Sequence, residues 1–138
     1  MAGLTGTYNP ADAQVQVDGI LMSGYGDGTF ITIAKDDPEL WSIHQGAHGE
    51  VSRTKKNKPY GTITFTLKRT SPSHATLNAL KFSGATFIAS VKDASTGFFA
   101  TAQQAWVMND PDDEFAEEES MIEWIIGCAD LRKAQLGV

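Results

Sequence analysis

Two histidines, His44 and His48, have the four-residue spacing that would place two metal ligands on one face of a helix. Gly46 lies between them and Gly49 directly follows, and glycine is a poor helix former. No third ligand lies nearby in the sequence, and His74 stands alone. The histidines therefore do not predict a metal site.

A glycine-rich segment, Gly-Tyr-Gly-Asp-Gly at residues 24–28, superficially matches a phosphate-binding loop. It precedes a predicted strand rather than a helix, so the helix N-terminal amides that bind the anion are missing. The chain has no Walker loop, no Gly-x-Ser-x-Gly elbow and no Cys-x-x-Cys pair. The acidic residues between 110 and 119 lack the alternating register of an EF-hand. The sequence predicts a protein that is not an enzyme and uses no cofactor.

The size of the chain, 138 residues, predicts one domain, and its 41% hydrophobic and 20% charged residues indicate an ordered globular protein. Its single cysteine, Cys128, favours a reducing cytoplasm and is predicted to pack as a small apolar side chain rather than to act as a nucleophile. The N-terminus has no secretory signal, and no apolar run approaches the ~20 residues of a membrane span. We expect a protein that stays inside the cell that makes it and does not bind a membrane.

The net charge of −6 is distributed unevenly along the chain. A basic run contains Arg53, Lys55, Lys56 and Lys58, and an acidic loop at 108–119 contains seven acids, Asp110, Asp112, Asp113, Glu114, Glu117, Glu118 and Glu119. Both segments are typical of solvated loops. They are also what head-to-tail association of identical copies could use, which builds rings or filaments. The isoelectric point of about 4.9 argues against tight DNA binding.

Alternation of apolar and polar residues predicts a mainly β fold. In the clearest strand, Thr62–Thr70, the apolar residues face one way and the threonines the other. A turn at the glycine-rich segment predicts a hairpin between the first two strands. The full set of predicted strands is Ala13–Leu21, Phe30–Ala34, Thr62–Thr70, Thr86–Asp93, Phe98–Ala102 with an extension at Ala105–Val107, and Ser120–Asp130.

One helix is predicted at Pro72–Lys81, with Ser71 as its N-cap and its end near Gly84. For Ser120–Asp130 a buried helix is the alternative, but the β-branched residues and Gly127 favour a strand.

Three further segments have weaker patterns. Leu40–His44 is predicted as a short strand or one helical turn. Gln45–Tyr60 has no clear periodicity and is predicted to be a long functional or mobile loop. Leu131–Val138 is predicted to be a frayed tail.

Four motifs follow one another in a fixed order along the chain. They are an Asp-Gly and Ser-Gly-Tyr-Gly-Asp-Gly strand pair at 18–28, Gly-x-x-Gly-Glu-x-x-Arg at 46–53, the threonine-rich strand, and Thr-Ser-Pro-Ser at 70–73. Over about residues 15–110 this series resembles the tail tube proteins of contractile-tailed bacteriophages, which are related to type VI secretion tube subunits. The chain departs from the family pattern at His48, where an aspartate is expected, at His74, where an asparagine is expected, and in its highly charged 110–119 segment.

The resemblance implies an antiparallel β-sandwich or half-barrel with one short flanking helix. Six copies would form a ring with an inner β-barrel, and rings would stack into the tube through which DNA is delivered. The polar faces of Ala13–Leu21, Phe30–Ala34 and Thr62–Thr70 would then include the lumen wall. A tube initiator, a terminator or another baseplate-proximal protein of the same fold is the alternative. The third hypothesis is that the β-sandwich is an enzyme or a free-standing binding domain.

The resemblance also implies a layout and partners. The single domain, 1–138, would comprise an N-terminal arm at 1–12, an extended inter-subunit loop at 36–60, the acidic loop at 108–119 and a C-terminal tail at 131–138. The acidic loop would contact the sheath or an adjoining ring. Expected partners are other copies of the chain, the tail sheath, baseplate and tail-terminator proteins, and passing DNA without specific binding, in a virion tail assembled in the host cytoplasm. The predicted subunit-contact residues are Trp41, Glu50, Arg53, Lys55, Lys56, Lys58 and Tyr60.

Overall fold

A computed structural model describes residues 3–135. Its strands pair antiparallel throughout, which confirms the mainly β, antiparallel fold with one helix. No helix among the described residues is long and apolar enough to cross a membrane. After a 3₁₀ turn at Pro10–Asp12, the elements are β1 (Ala13–Val17), β2 (Ile20–Leu21), β3 (Ile31–Lys35), β4 (Trp41–Gln45), β5 (Val51–Lys55), β6 (Gly61–Lys68), α1 (Ser73–Ser83), β7 (Phe87–Asp93), β8 (Phe98–Val107), β9 (Met121–Cys128) and β10 (Leu131–Gln135).

Eight of the strands form one sheet in the order β2-β1-β7-β8-β9-β6-β3, with β10 also paired to β8. Strands β9 and β10 both pair with β8, and they do so in one continuous register. In the short segment that joins β9 to β10, the Ala129 N–H donates to the Gln104 carbonyl of β8 at 3.0 Å. They therefore act as one long strand, of which β9 pairs with β6 and β10 does not. A register shift between Phe87 and Ala89 places two residues of β8, Gln103 and Gln104, opposite the single residue Ile88 of β7, and such a bulge bends its strand. These bends let a single sheet fold over on itself.

One core lies between the two halves of the folded sheet. Val15 and Val91 from the β1–β7 half pack in the same cluster as Phe65 and Trp124 from the β6–β9 half. Because both halves turn their apolar sides inward, their polar sides point away from each other. The polar residues of Ala13–Leu21 and those of Thr62–Thr70 therefore lie on opposite outer sides of one subunit, and the lumen wall stays a prediction.

The first tight turn lies at Asp18 and Gly19 rather than in the glycine-rich segment. Both residues have positive φ, 52° and 78°, as the turn of a two-residue hairpin requires. This turn divides the predicted strand Ala13–Leu21 into β1 and β2, and β3 pairs with β6 instead of β1. The predicted hairpin was wrong because residues 24–26 cross over to β6, where Gly26 N–H donates to the Thr66 carbonyl at 2.8 Å.

Tyr25 fixes residues 24–26 to β6 on one side and to β1 on the other. Its backbone forms a bridge with Leu67 of β6, and its hydroxyl accepts a hydrogen bond from the Val15 N–H of β1 at 2.7 Å. Burial raises the pKa of the Tyr25 hydroxyl, so the group stays neutral. One side chain thus links the two halves of the sheet.

Two segments are more ordered than the sequence predicted. Leu40–His44 contains a strand, β4, as one alternative predicted, but the predicted loop Gln45–Tyr60 contains β5, which pairs with β4. The predicted frayed tail begins with β10, which is anchored by the fully buried Leu131 and pairs with β8. Residues 136–138 of that tail, and residues 1 and 2 of the N-terminal arm, lie outside the described residues.

The predicted helix is present at Ser73–Ser83 and ends at Gly84 as expected, but its N-cap is Pro72 and not the predicted Ser71. Ser71 Oγ accepts a hydrogen bond from the Ser73 N–H at 3.2 Å. Gly84, with φ of 67°, donates its N–H to the Leu80 carbonyl and ends α1. The segment Ser120–Asp130 forms a strand, β9, as favoured over a helix.

His74 connects this helix to the sheet. Its Nδ1 accepts a hydrogen bond from the indole N–H of the buried Trp124 at 3.0 Å, and its Nε2 lies 2.8 Å from the Lys68 carbonyl. Both contacts are satisfied by a neutral imidazole with its proton on Nε2. A buried indole N–H needs such a partner.

We expect His74→Ala to lower the free energy of unfolding by about 1–3 kcal/mol, because the Trp124 N–H loses its acceptor. His74→Asn, which keeps a donor and an acceptor, is the matched control and should lose less. Urea denaturation at pH 8 measures both. Equal stabilities of the alanine variant and the parent would contradict this role.

Cys128 is fully buried, as expected for a packed apolar side chain, and burial raises the pKa of its thiol to about 11. At pH 8.5 the folded thiol is therefore neutral, whereas the unfolded thiol is partly ionised and nucleophilic. We expect iodoacetamide to leave the native protein unmodified and to alkylate it in guanidinium chloride. Mass spectrometry gives the result, and rapid alkylation of the native protein would show that the site opens.

Candidate assembly surfaces

The strands β4 and β5 form a separate two-stranded hairpin, the hairpin arm (residues 41–55). Its register alternates residues between two faces. One face carries Trp41, Ile43, Gln45, Val51, Arg53 and Lys55, and the other carries only the small or polar residues Ser42, His44, Ser52 and Thr54. His44 lies in a strand and His48 in the turn, so the two histidines do not share a helix face.

A cation–π contact organises the first face of the hairpin arm. The Arg53 guanidinium carbon lies 4.0 Å from the centroid of the Trp41 ring, and Lys55 is paired opposite Trp41. At the tip, the Gly46 N–H donates to the Glu50 carbonyl at 2.7 Å, which closes the turn. The arm therefore presents an aromatic side chain and two cations together.

Ion pairs hold the base of the hairpin arm. Lys56 Nζ lies 3.4 Å from Asp37 and 3.1 Å from Glu39, and Lys58 Nζ lies 3.6 Å from Asp37. The Glu39 N–H and then Lys56 lower the pKa of Asp37, and Glu39 in turn raises the pKa of Lys56. Two of the four predicted basic contact residues thus have partners within the chain.

The seventh predicted contact residue, Tyr60, directly precedes β6 and contacts the main sheet instead of the arm. Its ring stacks on Trp106 with 6.3 Å between centroids, and its hydroxyl donates to the Met108 sulfur at 2.9 Å. Trp106 in turn covers Gly127, where an added Cβ would lie 2.8 Å from the indole nitrogen.

The acidic loop is fixed at three of its seven acids. Asp110 pairs with Lys81 at 2.8 Å, Asp113 pairs with Arg69, and Glu119 accepts hydrogen bonds from the Thr70 hydroxyl and N–H. The Thr70 contacts lower the pKa of Glu119. In the part of the chain that the structure describes, no ion pair engages the other four acids, Asp112, Glu114, Glu117 and Glu118.

The two charged regions lie at opposite ends of the subunit. The β6–β9 ladder runs from Gly61 paired with Cys128 to Lys68 paired with Met121. At the first end, a cleft of about 620 Å³ is lined by six basic residues, Lys35, Lys55, Lys56, Lys58, Arg132 and Lys133, and by three acids, Asp37, Glu39 and Asp130. The acidic loop is bonded to Arg69 and Thr70, directly beyond the second end.

The sequence did not identify Lys35, Arg132 and Lys133 as part of the basic end. Arg132 and Lys133 fall in the predicted tail, and only the register of β10 on β8 brings them here. An apolar Leu131 soon after the buried strand was the available signal that the sheet continues.

The folded sheet has two outer faces. The threonine face consists of the outward residues of β3, β6 and β9, namely Thr32, Ala34, Thr62, Thr64, Thr66, Lys68, Met121, Glu123 and Ile125. The glutamine face surrounds a concavity of about 650 Å³ on β1, β7 and β8, where the polar residues Gln14, Gln16, Ser90, Lys92 and Thr101 lie beside the apolar Leu21 and Phe99. Within residues 3–135 no group of three or more His, Cys, Asp or Glu side chains is arranged to hold a metal ion.

Solved structures with this fold come from contractile injection systems. The anti-feeding prophage cap, which terminates the tube, matches with a TM-score of 0.63 and 7% identity over 99% of this chain and 96% of its own. The sheath/tube terminator of an extracellular contractile injection system, PVC, matches at 0.63 and 9% identity over 96% of this chain and 99% of its own. A chain of the PVC sheath–tube complex matches at 0.61 and 8% identity over 94% and 93%.

Sequence comparison gives the family. No curated protein matches the chain. The family model of the bacteriophage PhiTE tail tube protein matches residues 15–137, which is most of the chain. Since the family is structural, the protein is a structural component and not an enzyme. The chain belongs to the phage tail tube family and is a structural protein of a phage tail.

Proposed function

We propose that this protein is the repeating subunit of the tail tube, with six copies in a ring and rings stacked around a channel for DNA. The observation that carries the proposal is a charge-poor polar face next to an unpaired strand edge. Strand β3 pairs only with β6, and β10 only with β8, so within residues 3–135 each has one free edge. An unpaired edge presents free N–H and C=O groups that can pair with a strand of another copy. Copies joined edge to edge would extend the threonine face into a closed wall.

The threonine face suits the channel better than the glutamine face. Its ionisable side chains are Glu123 and, at one rim, Lys68. The glutamine face carries Lys92, and Arg132 lies on β10 beside it. Because lysine and arginine bind phosphates and retard passing DNA, the wall with less positive charge lets the genome slide. The glutamine face then forms the outer surface of the tube.

The hairpin arm and the acidic loop supply the remaining contacts in this proposal. Trp41, Arg53 and Lys55 contact a neighbouring copy, with Glu50 at the tip of the arm and Lys56 and Lys58 at its base. The partners are further copies of the chain, a sheath protein, and baseplate and terminator proteins, in a virion tail assembled in the host cytoplasm.

A tube terminator is the second candidate, because two of the matched structures are a tube-terminating cap and a sheath/tube terminator. A terminator stacks on a tube through one end only. A subunit with oppositely charged ends can stack on copies of itself through both, which supports the tube subunit.

We expect the purified protein to form tubes at high concentration, with sixfold symmetry in end-on electron micrographs. In these tubes a Thr64→Cys variant should be shielded from a bulky polymer-linked maleimide, and a Gln16→Cys control should react. Both variants carry Cys128→Ala, and both should react as free subunits because the two faces are accessible there.

The outcomes of this labelling experiment separate the alternatives. A reversed pattern would place the glutamine face in the channel. Equal labelling of both variants in tubes would mean that neither face is enclosed. Single or double rings that never elongate would indicate a terminator, and a protein that stays monomeric would contradict the proposed function.

Hydrogen exchange tests the role of the hairpin arm. A two-stranded hairpin that packs on no third strand is marginally stable, so its amides should exchange rapidly in the free subunit. In assembled tubes they should be strongly protected, whereas the β6–β9 amides serve as the internal reference because they are protected in both states. Equal exchange of the arm in both states would show that it makes no contact between subunits.

A further inference from the structure

The hairpin arm has an apolar face that its own chain leaves uncovered. Ile43 and Val51 are 71% and 65% exposed, and Trp41 is 39% exposed even with Arg53 stacked on it. The opposite face of the arm has no large apolar side chain. An arm that packs on no other strand and exposes three neighbouring apolar residues on one face needs a partner to be stable.

The charge on this face defines the chemistry of the partner. Arg53 and Lys55 flank the apolar residues, and no ion pair within residues 3–135 engages either of them. A matching surface therefore offers an apolar or aromatic group surrounded by carboxylates.

The acidic loop presents that combination. Phe115 is 80% exposed, although the Arg69 guanidinium lies 4.4 Å from its ring centroid and fixes one side of it. Around it in sequence lie four acids, Asp112, Glu114, Glu117 and Glu118, whose side chains form neither an ion pair nor a hydrogen bond within residues 3–135. The remaining acids of the loop tie it to α1 and to the end of β6, so the exposed group is held in place rather than free.

The two surfaces are anchored at opposite ends of one subunit. The base of the arm and the acidic loop are attached at opposite ends of the eight-residue β6 strand, which spans ~26 Å at the usual rise per residue. A contact between unlike surfaces at opposite ends joins copies head to tail, and such a contact propagates instead of closing into a pair.

We propose that the hairpin arm of one copy binds the acidic loop of a second copy, with Trp41, Ile43 and Val51 against Phe115 and with Arg53 and Lys55 facing Glu117 and Glu118. This contact is the axial junction between successive rings. It rests on the proposed tube function, and it assigns the acidic loop to the next ring instead of the sheath.

Charge reversal on each side tests the contact. The first variant combines Arg53→Glu with Lys55→Glu, and the second combines Glu117→Lys with Glu118→Lys. Each should elongate tubes at least ~10-fold more slowly than the parent at low salt, because both surfaces then carry the same charge. All four positions are exposed, and circular dichroism and melting temperature confirm that each variant is folded.

The variant that carries all four substitutions is the matched control. Its net charge equals that of the parent and its charge pairing is reversed but complementary, so elongation should recover. Light scattering at two salt concentrations measures the rates, and the defect of each double variant should shrink at high salt.

The remaining outcomes discriminate between the two proposals. If the parent forms tubes and the double variants elongate equally fast, or if the fourfold variant does not recover, this axial contact is wrong while the tube function stands. If the acidic-loop variant alone forms normal tubes, the loop faces another protein. If the parent itself forms no tubes, the tube function fails and the axial contact fails with it.

Discussion

The pairing of β6 with β9 is the constraint on which the rest of the subunit depends. Along β6, Ile63, Phe65 and Leu67 are completely buried, and the threonines between them face outward. Because strand residues alternate between faces, this one ladder produces both the core and a polar outer wall. A slip of one residue would exchange the two sets, and the buried side chains make such a slip costly. The ladder also sets the distance between the two charged ends, since the arm leaves from one end and the acidic loop is fixed at the other.

The strands that were predicted correctly are those in which apolar residues alternate over a long run. Thr62–Thr70 and Thr86–Asp93 show the pattern, and the Ser-Pro start and Gly84 stop define the helix through local backbone chemistry. Of the hairpin arm, β4 was one of two predicted alternatives and β5 was missed, because the alternation places apolar residues on a face that no other part of the described chain covers. Periodicity predicts a strand best where one face is buried, and neither face of the arm is buried within residues 3–135.

The sequence shows which segments of the candidate surfaces are charged, but it does not show which of their side chains contact each other. The sequence identified the basic run and the acidic loop, yet the pairing of Lys81 with Asp110 joins residues 29 positions apart. The same limit applies to Arg132 and Lys133, whose position depends on the continuous register of β9 and β10. Local patterns cannot show which charges are satisfied within the chain, and the unsatisfied ones are those available to a partner. Of the seven predicted acids, two form ion pairs and Glu119 accepts hydrogen bonds from Thr70, which leaves four whose side chains have neither kind of contact among the described residues.

The hydrogen bond from the Val15 N–H to the Tyr25 hydroxyl has a consequence for where another molecule can pair with the sheet. The Val15 carbonyl on the same edge accepts from the Met22 N–H at 2.9 Å, so both main-chain groups of Val15 that point outward from β1 are already used. A strand from another molecule therefore cannot pair with β1 at this position. Within residues 3–135, β2, β3 and β10 each pair with one strand only, so strand addition to the main sheet is confined to those three borders.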